Sequence, residues 1–472
     1  MKNHRIFAAM LTLALSVTAC GGGGSVSSGG GLPPPPPGGS AVNITLNEAT
    51  TFQTMDGWEA TIDGDWGAGY NGRINEVIQR AVDDIGIDRL RLEIQSSAEN
   101  TTPVYAQYKA GALSDQQFRC LRYSVVNDDS NPNTINAAGF HWEWLDAQID
   151  NMVVPMRNYL ASKGRTLWVN LAYVAFTQQI NSSVCSGSYQ AHQNPAEYAE
   201  FVLATYQHMQ SKYGFVPDAW QVILEPDNGI VQWSNGQVIG QAMVAAAARL
   251  QAAGFTPRFV APSVTNMANG LSYLNGINSV SGATALLYEV SYHRYQDRSV
   301  STLQTLADRA AQLGKKTAML EWWVDEQNYG DLHDDLAVGN NSSWQGRTLL
   351  TLFKNPSTTG GVLTVQDNVR YTMQYFRAVR RNAVRFQATS TAAQFQPIAF
   401  RNPDGSRTVV IRATGSGSVV VGGLPAGSYS VSWAVGSGSS QLPAPIVIGA
   451  GSNLTTTMPG AGVMTISSLA GS

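Results

Sequence analysis

From Asp56 to Phe386, short runs of aliphatic and β-branched residues alternate with stretches whose apolar positions recur every three or four residues. The first pattern predicts strands and the second predicts helices that bury one side. A strand is expected near Met55–Ala60 and another at Asp88–Ile94, with a helix over Ile74–Ile85 between them. A helix at Trp144–Ser162 leads to a strand at Thr166–Tyr173. Pro195 opens a helix to about Tyr213, in the first-turn position that proline tolerates. A strand at Asp218–Leu224 precedes an Ala-rich helix, Val238–Ala253, ended by Gly254. Further strands are expected at Arg258–Val264, Leu287–Tyr295, Lys316–Trp323 and Gly361–Gln366, and a last helix at Tyr371–Phe386. Strand–helix alternation predicts a parallel sheet with helices outside, and about eight units imply a closed (β/α)8 TIM barrel. The alternative, an open doubly wound sheet, lacks a Gly-rich phosphate loop after any early strand.

Beyond Phe386 the pattern changes to short Val- and Ser-rich segments broken by Gly pairs and by Asn402-Pro403-Asp404-Gly405. Tight turns between alternating runs predict an antiparallel β-sandwich module over 387–472. The alternating stretch Val42–Thr54 is placed to add strands to it. The catalytic barrel is therefore expected over 42–386.

The N-terminus carries a different signal. Lys2 and Arg5 precede an apolar run, Ile6–Val17, that is too short for a resident membrane helix. Val17-Thr18-Ala19-Cys20-Gly21 resembles a bacterial lipobox. That resemblance implies a signal peptide over 1–19, cleavage before Cys20, and a diacylglycerol on its sulfur that anchors the chain to a membrane without crossing it. An ordinary signal peptide cut nearby is the alternative. Residues 20–41 are mainly Gly, Ser and Pro and read as a tether.

Composition narrows the partners. Net charge is −3 and only 13% of residues are charged, which argues against nucleic acid, since phosphate binding needs a basic face. Eleven tryptophans suit neutral sugar polymers. Besides Cys20, the cysteines are Cys120 and Cys185, in a compartment where disulfides persist. They are expected to pair, with two free thiols as the alternative. A monomer is expected.

In a barrel of this kind the chemistry sits at the C-terminal ends of the strands. The fourth strand ends Leu224-Glu225-Pro226-Asp227 and the seventh ends Leu320-Glu321-Trp322-Trp323. Two glutamates facing each other across the mouth can flank one glycosidic bond; retention of configuration needs their carboxyls about 5–5.5 Å apart. Glu93, at the end of strand two, competes for such a role. Arg91 shares its parity, so both are expected to face the barrel interior and pair.

With those residues in view, the chain resembles the clan A glycoside hydrolases, most closely family 30. Gln53-Thr54-Met55-Asp56-Gly57-Trp58 resembles the entry to the first barrel strand, Arg91 matches the arginine at the end of strand two, and Glu225-Pro226 matches the acid/base motif. His293-Arg294-Tyr295 matches a His-x-Tyr on strand six, Glu321 the nucleophile, and Phe395–Ser406 the family's C-terminal β module. The resemblance implies that Glu321 attacks the anomeric carbon, held ionised by Arg91, His293 and Tyr295, while Glu225 gives its proton to the leaving oxygen. It departs at Leu224, where the family has an asparagine that binds the sugar 2-hydroxyl; Asn170 and Asn228 are candidate replacements. No organic cofactor is implied.

Sugar faces stack on aromatic rings, and Trp58, Trp233 and Trp322 are the expected contacts. Long loops at 95–141 and 174–194 rise on the catalytic face and carry Cys120 and Cys185. The acidic loop 324–340 reads as a solvated loop, with calcium binding as the alternative. No His-Glu-x-x-His, Gly-x-Ser-x-Gly or P-loop is present, so zinc hydrolysis, ester hydrolysis and nucleotide binding find no support and no metal site is expected. The sequence thus points to a retaining β-glycosidase acting on a β-linked polysaccharide or oligosaccharide outside the cytoplasm. A glycan-binding surface lipoprotein that does not cut is the alternative.

Overall fold

Eight short strands close into a parallel barrel in a computed structural model, which describes residues 41–62, 72–176, 192–228, 233–323, 328–354 and 361–469. Numbered along the chain after an initial β1 (Val42–Thr54), the barrel strands are β2 (Gly57–Thr61), β3 (Arg89–Gln95), β4 (Trp168–Val174) and β5 (Ala219–Gln221). They continue with β6 (Phe259–Asn266), β7 (Leu287–Gln296), β8 (Lys316–Glu321) and β9 (Asn341–Trp344), which pairs back onto β2. The signal peptide, Cys20, the tether and Cys185 lie outside the described residues. Among the described residues no helix is long and apolar enough to cross a membrane.

Much of the expected ladder is present: the helix Pro195–Tyr213 starts on its proline, with Asn194 accepting the Ala196 N–H at 2.9 Å as its cap. Gly57 opens β2 at φ +116°, and a Cβ there would meet Asp88 Oδ1 at 2.3 Å, so only glycine fits. That same Oδ1 accepts the Trp58 N–H at 3.0 Å and ties the start of β2 to β3.

Four expectations are corrected. The eighth barrel strand is Asn341–Trp344, not Gly361–Gln366, of which only Thr364–Val365 is extended; as β11 it pairs with β10 (Phe353–Lys354) outside the barrel. Ser342 and Ser343 hide the signal: both hydroxyls donate to Glu289 Oε1 at 3.1 Å inside the barrel, so the strand is inward-facing without being apolar. The last helix ends at Phe376 instead of Phe386, because Val384–Ser390 is already a strand, β12, of the C-terminal sheet. Of the acidic stretch 324–340, Asp325 and Glu326 lie outside the described residues, and the part that follows is not a solvated loop. Tyr329–Ala337 is a helix, and its Asp335 is buried against Arg294 Nη2 at 2.9 Å, the Tyr292 hydroxyl at 2.5 Å and Trp344 Nε1 at 2.8 Å. The segment 95–141 is likewise built up, with helices Val104–Lys109 and Asp115–Leu121, the latter carrying Cys120.

The β module is one continuous ten-stranded sheet curled around its own core, with Val42, Ile44, Phe386, Val409, Val431 and Ile466 among the buried residues. It runs from β12 through β13 (Phe395–Arg401), β14 (Arg407–Ala413), β15 (Gly417–Gly422), β16 (Gly427–Val435), β17 (Gly438–Gln441), β18 (Ile446–Ile448) and β19 (Leu454–Met458) to β20 (Gly462–Ser468). β1 lies inside it, antiparallel to β12 and parallel to β15, so the chain enters through the sheet before it starts the barrel. The expected Asn-Pro-Asp-Gly turn joins β13 to β14, with Gly405 at φ +83° and its N–H donating to Asn402 O at 2.9 Å.

Barrel and sheet meet around His333, which is buried and lies 3.0 Å from the Tyr375 hydroxyl. Burial, with Arg412 and Arg385 nearby, pushes its pKa down from 6.5 to about 3. The imidazole is neutral in the fold and protonates in the unfolded chain, so the unfolded state binds more protons below pH 6.5. Stability is therefore full above that value and falls toward pH 3, by roughly 1.4 kcal/mol per pH unit for this one proton. Urea unfolding at about pH 4 and about pH 7 checks this: the difference is expected to shrink in His333→Gln, and an equal difference in both proteins would refute it.

Candidate active site

Glu321 is the last residue of β8, and both of its carboxylate oxygens are held. Arg91, reaching across from β3, donates from Nη2 to Oε2 at 2.6 Å, and Tyr295 on β7 donates its hydroxyl to Oε1 at 2.8 Å. Arg91 Nη1 also donates to Leu320 O at 3.0 Å, which fixes the guanidinium to the backbone beside its partner. Burial alone would raise the carboxyl's pKa; the charges of Arg91 and His293 and the two hydrogen bonds outweigh it and hold Glu321 below the ordinary glutamate value.

Glu225 follows β5 and is fixed by its backbone. The Leu224 N–H donates to Tyr173 O at 3.0 Å and the Glu225 N–H to Ser263 O at 3.1 Å, so this point is pinned between β4 and β6. Glu225 adopts φ +53°, a left-handed conformation uncommon for a side-chain-bearing residue and ahead of Pro226. Its carboxyl oxygens face two partners: Asn228 Nδ2 donates to Oε2 at 2.9 Å, and His293 Nδ1 lies 3.0 Å from Oε1. Asp227 anchors the turn by accepting the Thr265 N–H at 2.6 Å and the Asn266 N–H at 3.0 Å.

These elements bring Glu225, His293 and Glu321 together so that one polar atom from each lies within 4.8 Å of the others. By residue type the trio would suit a divalent cation, but Arg91 already supplies the positive charge at Glu321.

The pair opens onto a cavity of about 590 Å³ whose walls include Tyr123, Trp144, Phe176, Tyr295 and Trp323. Trp58 does not line it. Trp58 stacks on Phe376 at 4.2 Å and donates from Nε1 to Val379 O at 2.8 Å, because strand alternation sends Glu59 inward and Trp58 outward. Trp233 is buried against Tyr198, 5.2 Å away, and Trp322 packs behind Tyr295 at 5.7 Å with Arg298 over its ring at 4.7 Å. The tryptophans on the wall are Trp323, which shares the parity of Glu321, and Trp144, whose Nε1 donates to Glu93 O at 3.1 Å. Parity counted from Glu321 would have singled out Trp323.

Glu93 also lines the cavity, with Oε1 at 3.5 Å from Arg91 Nη2. Burial, and repulsion from Glu321 and Glu225 against the pull of Arg91 and Arg122, raise its pKa above the usual glutamate value. Leu224 joins Tyr123, Val174 and Phe176 in an apolar patch beside Glu225. Of its two candidate replacements, Asn228 reaches the cavity, while Asn170 is buried lower in the barrel, donating to Gln221 at 3.3 Å.

Neither a scan against protein-family models nor a comparison with curated proteins finds a match. Solved structures do match. The catalytic domain of GH30 xylanase C from Talaromyces cellulolyticus superposes with a TM-score of 0.64 at 16% identity, covering 90% of this chain and 100% of that one. A GH30 endoxylanase from Clostridium papyrosolvens C71 gives 0.64 at 17%, covering 91% and 100%. The chain has the fold of family 30 glycoside hydrolases. The endo-beta1,6-glucanase BT3312 shares that fold too, at a TM-score of 0.59 and 15% identity, covering 92% of this chain and 94% of its own. On this fold, Glu225 stands past the end of the fourth barrel strand and Glu321 is the last residue of the seventh.

Removing the Tyr295 hydroxyl takes a donor from the ionised form of Glu321, so Tyr295→Phe is expected to raise the carboxyl's pKa. Carbon-13 NMR titration of labelled glutamate, with Glu321→Gln used to assign the signal, reads this directly. A shift in the opposite direction would contradict the arrangement.

Proposed function

We propose that the protein is a retaining β-glycosidase that hydrolyses a β-linked polysaccharide or oligosaccharide outside the cytoplasm. The observation that carries this reading is the asymmetric pair of glutamates, with polar atoms within 4.8 Å, one held ionised by Arg91 and Tyr295. Such closeness suits a pair that flanks one glycosidic bond, one carboxyl attacking and the other exchanging a proton. The fold shared with xylanases and a β-1,6-glucanase supports a glycan substrate.

In the proposed first step a Glu321 oxygen bonds to the anomeric carbon, the bond from that carbon to the leaving oxygen breaks, and Glu225 gives the leaving oxygen its proton. In the second, Glu225 takes a proton from water, the water oxygen bonds to the same carbon, and Glu321 leaves as carboxylate. Asn228 and His293 hold the Glu225 carboxyl in place for both transfers.

Reducing-end release from a panel of β-linked polysaccharides is expected to vanish in Glu321→Gln and to fall by about 10²–10⁴-fold in Glu225→Gln. The pH profile should be bell-shaped, its acid limb set by Glu321 and moved to higher pH by Tyr295→Phe. Binding of a glycan without release, equal in parent and Glu321→Gln, would favour the non-cutting lipoprotein for which Leu224 speaks.

The lipobox-like segment supports export and lipid attachment at Cys20, and the export of the chain to a compartment where disulfides persist supports pairing of Cys120 with Cys185. Replacing Cys20 by Ser is expected to move the protein from the detergent phase to the aqueous phase on phase separation of whole cells. Retention in the detergent phase would count against the anchor.

A further inference from the structure

Two polar atoms in the cavity wall, Thr265 Oγ1 and Trp323 Nε1, are shielded from solvent and have no hydrogen-bond partner. They come from the two strands that flank β7. Thr265 is near the end of β6, with its backbone fixed by Asp227, and Trp323 lies two residues beyond Glu321. A buried polar group left unpaired destabilises the fold, and in native proteins each such case calls for an explanation. Here both unpaired groups border the cavity that holds the two glutamates.

The chemistry of the two groups narrows the ligand. A hydroxyl and an indole N–H carry no charge, and they suit the uncharged hydroxyl groups of a sugar.

We propose that Thr265 and Trp323 are specificity residues that bind hydroxyl groups of a neutral sugar unit in this cleft. The proposal rests on the glycosidase reading. It also carries an unusual corollary: the Thr265 hydroxyl is a liability to the empty protein, so removing it weakens substrate binding without weakening the fold.

The test compares the full chain with Thr265→Val, Thr265→Ser and Trp323→Phe. The probes are β-1,4-xylo-oligosaccharide, β-1,6-gluco-oligosaccharide and oligoglucuronate. On whichever neutral probe is cleaved, Thr265→Val and Trp323→Phe are expected to raise KM by about two- to tenfold with kcat little changed. Thr265→Ser keeps the hydroxyl and should stay near the parent. Thermal unfolding of Thr265→Val should occur at the parent's temperature or above it. An unchanged KM in Thr265→Val overturns the proposal, and so does a lowered unfolding temperature, which would mean that the hydroxyl serves the fold. Preference for oligoglucuronate overturns the neutral-sugar assignment. The glycosidase reading is tested separately by the polysaccharide panel and Glu321→Gln; if the parent cleaves none of these three probes, binding is read instead. Calorimetric binding of the same probes then decides: weaker binding by Thr265→Val supports the proposal, and equal binding or none overturns it.

Discussion

A guanidinium buried in a barrel must be matched by carboxylates, and two such matches on β3 organise this protein. Arg89 and Arg91 have the same parity and both point inward, fully buried. Arg89 meets Glu59 at 3.1 Å and, across the barrel, Glu289 at 2.9 Å; burial, partly offset by Arg89 and Arg91, raises the Glu59 pKa. Removing one member of such a group leaves an uncompensated buried charge, at a cost of about 3–5 kcal/mol. One layer higher, Arg91 meets Glu321 at 2.6 Å. The device that holds opposite walls of the barrel together in the lower layer is used again in the upper layer to keep a carboxylate ionised at the mouth.

The polar column has consequences for both ends of the chain. Because Ser342 and Ser343 complete the shell around Glu289, β9 is inward-facing yet polar. Asp335 does similar work outside the barrel, gathering Arg294, Tyr292 and Trp344 around one carboxylate. Unmatched polar atoms occur at the mouth, at Thr265 Oγ1, Trp323 Nε1 and His293 Nε2, and also lower in the barrel, at Asn170 Oδ1 and Gln221 Nε2.

Most of the architecture was legible in the sequence because the barrel helices and most strands carry clean periodicity. Pro195, Gly254 and the Asn-Pro-Asp-Gly turn mark their own positions. Each misreading has its own physical cause. Gly361–Gln366 looked more strand-like than Asn341–Trp344 because apolar content was taken as the mark of a barrel strand. Tyr329–Ala337 looked solvated because acidic residues were counted without their distant arginines. The tryptophans were chosen by proximity to strand ends, whereas alternation sends Trp58 outward and Trp323 to the wall.

What the sequence determined by itself is the set of local facts: strand and helix periods, turn chemistry, and two glutamates at strand ends with Arg91 in step with Glu93. Those follow from side-chain period and backbone preference, which depend only on near neighbours. The tertiary structure alone decided which charges meet. Arg91 could be given to Glu93 by parity, yet it lies 2.6 Å from Glu321 and 3.5 Å from Glu93. Closing the barrel brings residues 230 positions apart into hydrogen-bond contact. No local pattern encodes that distance, because it is set by how eight tilted strands share one interior.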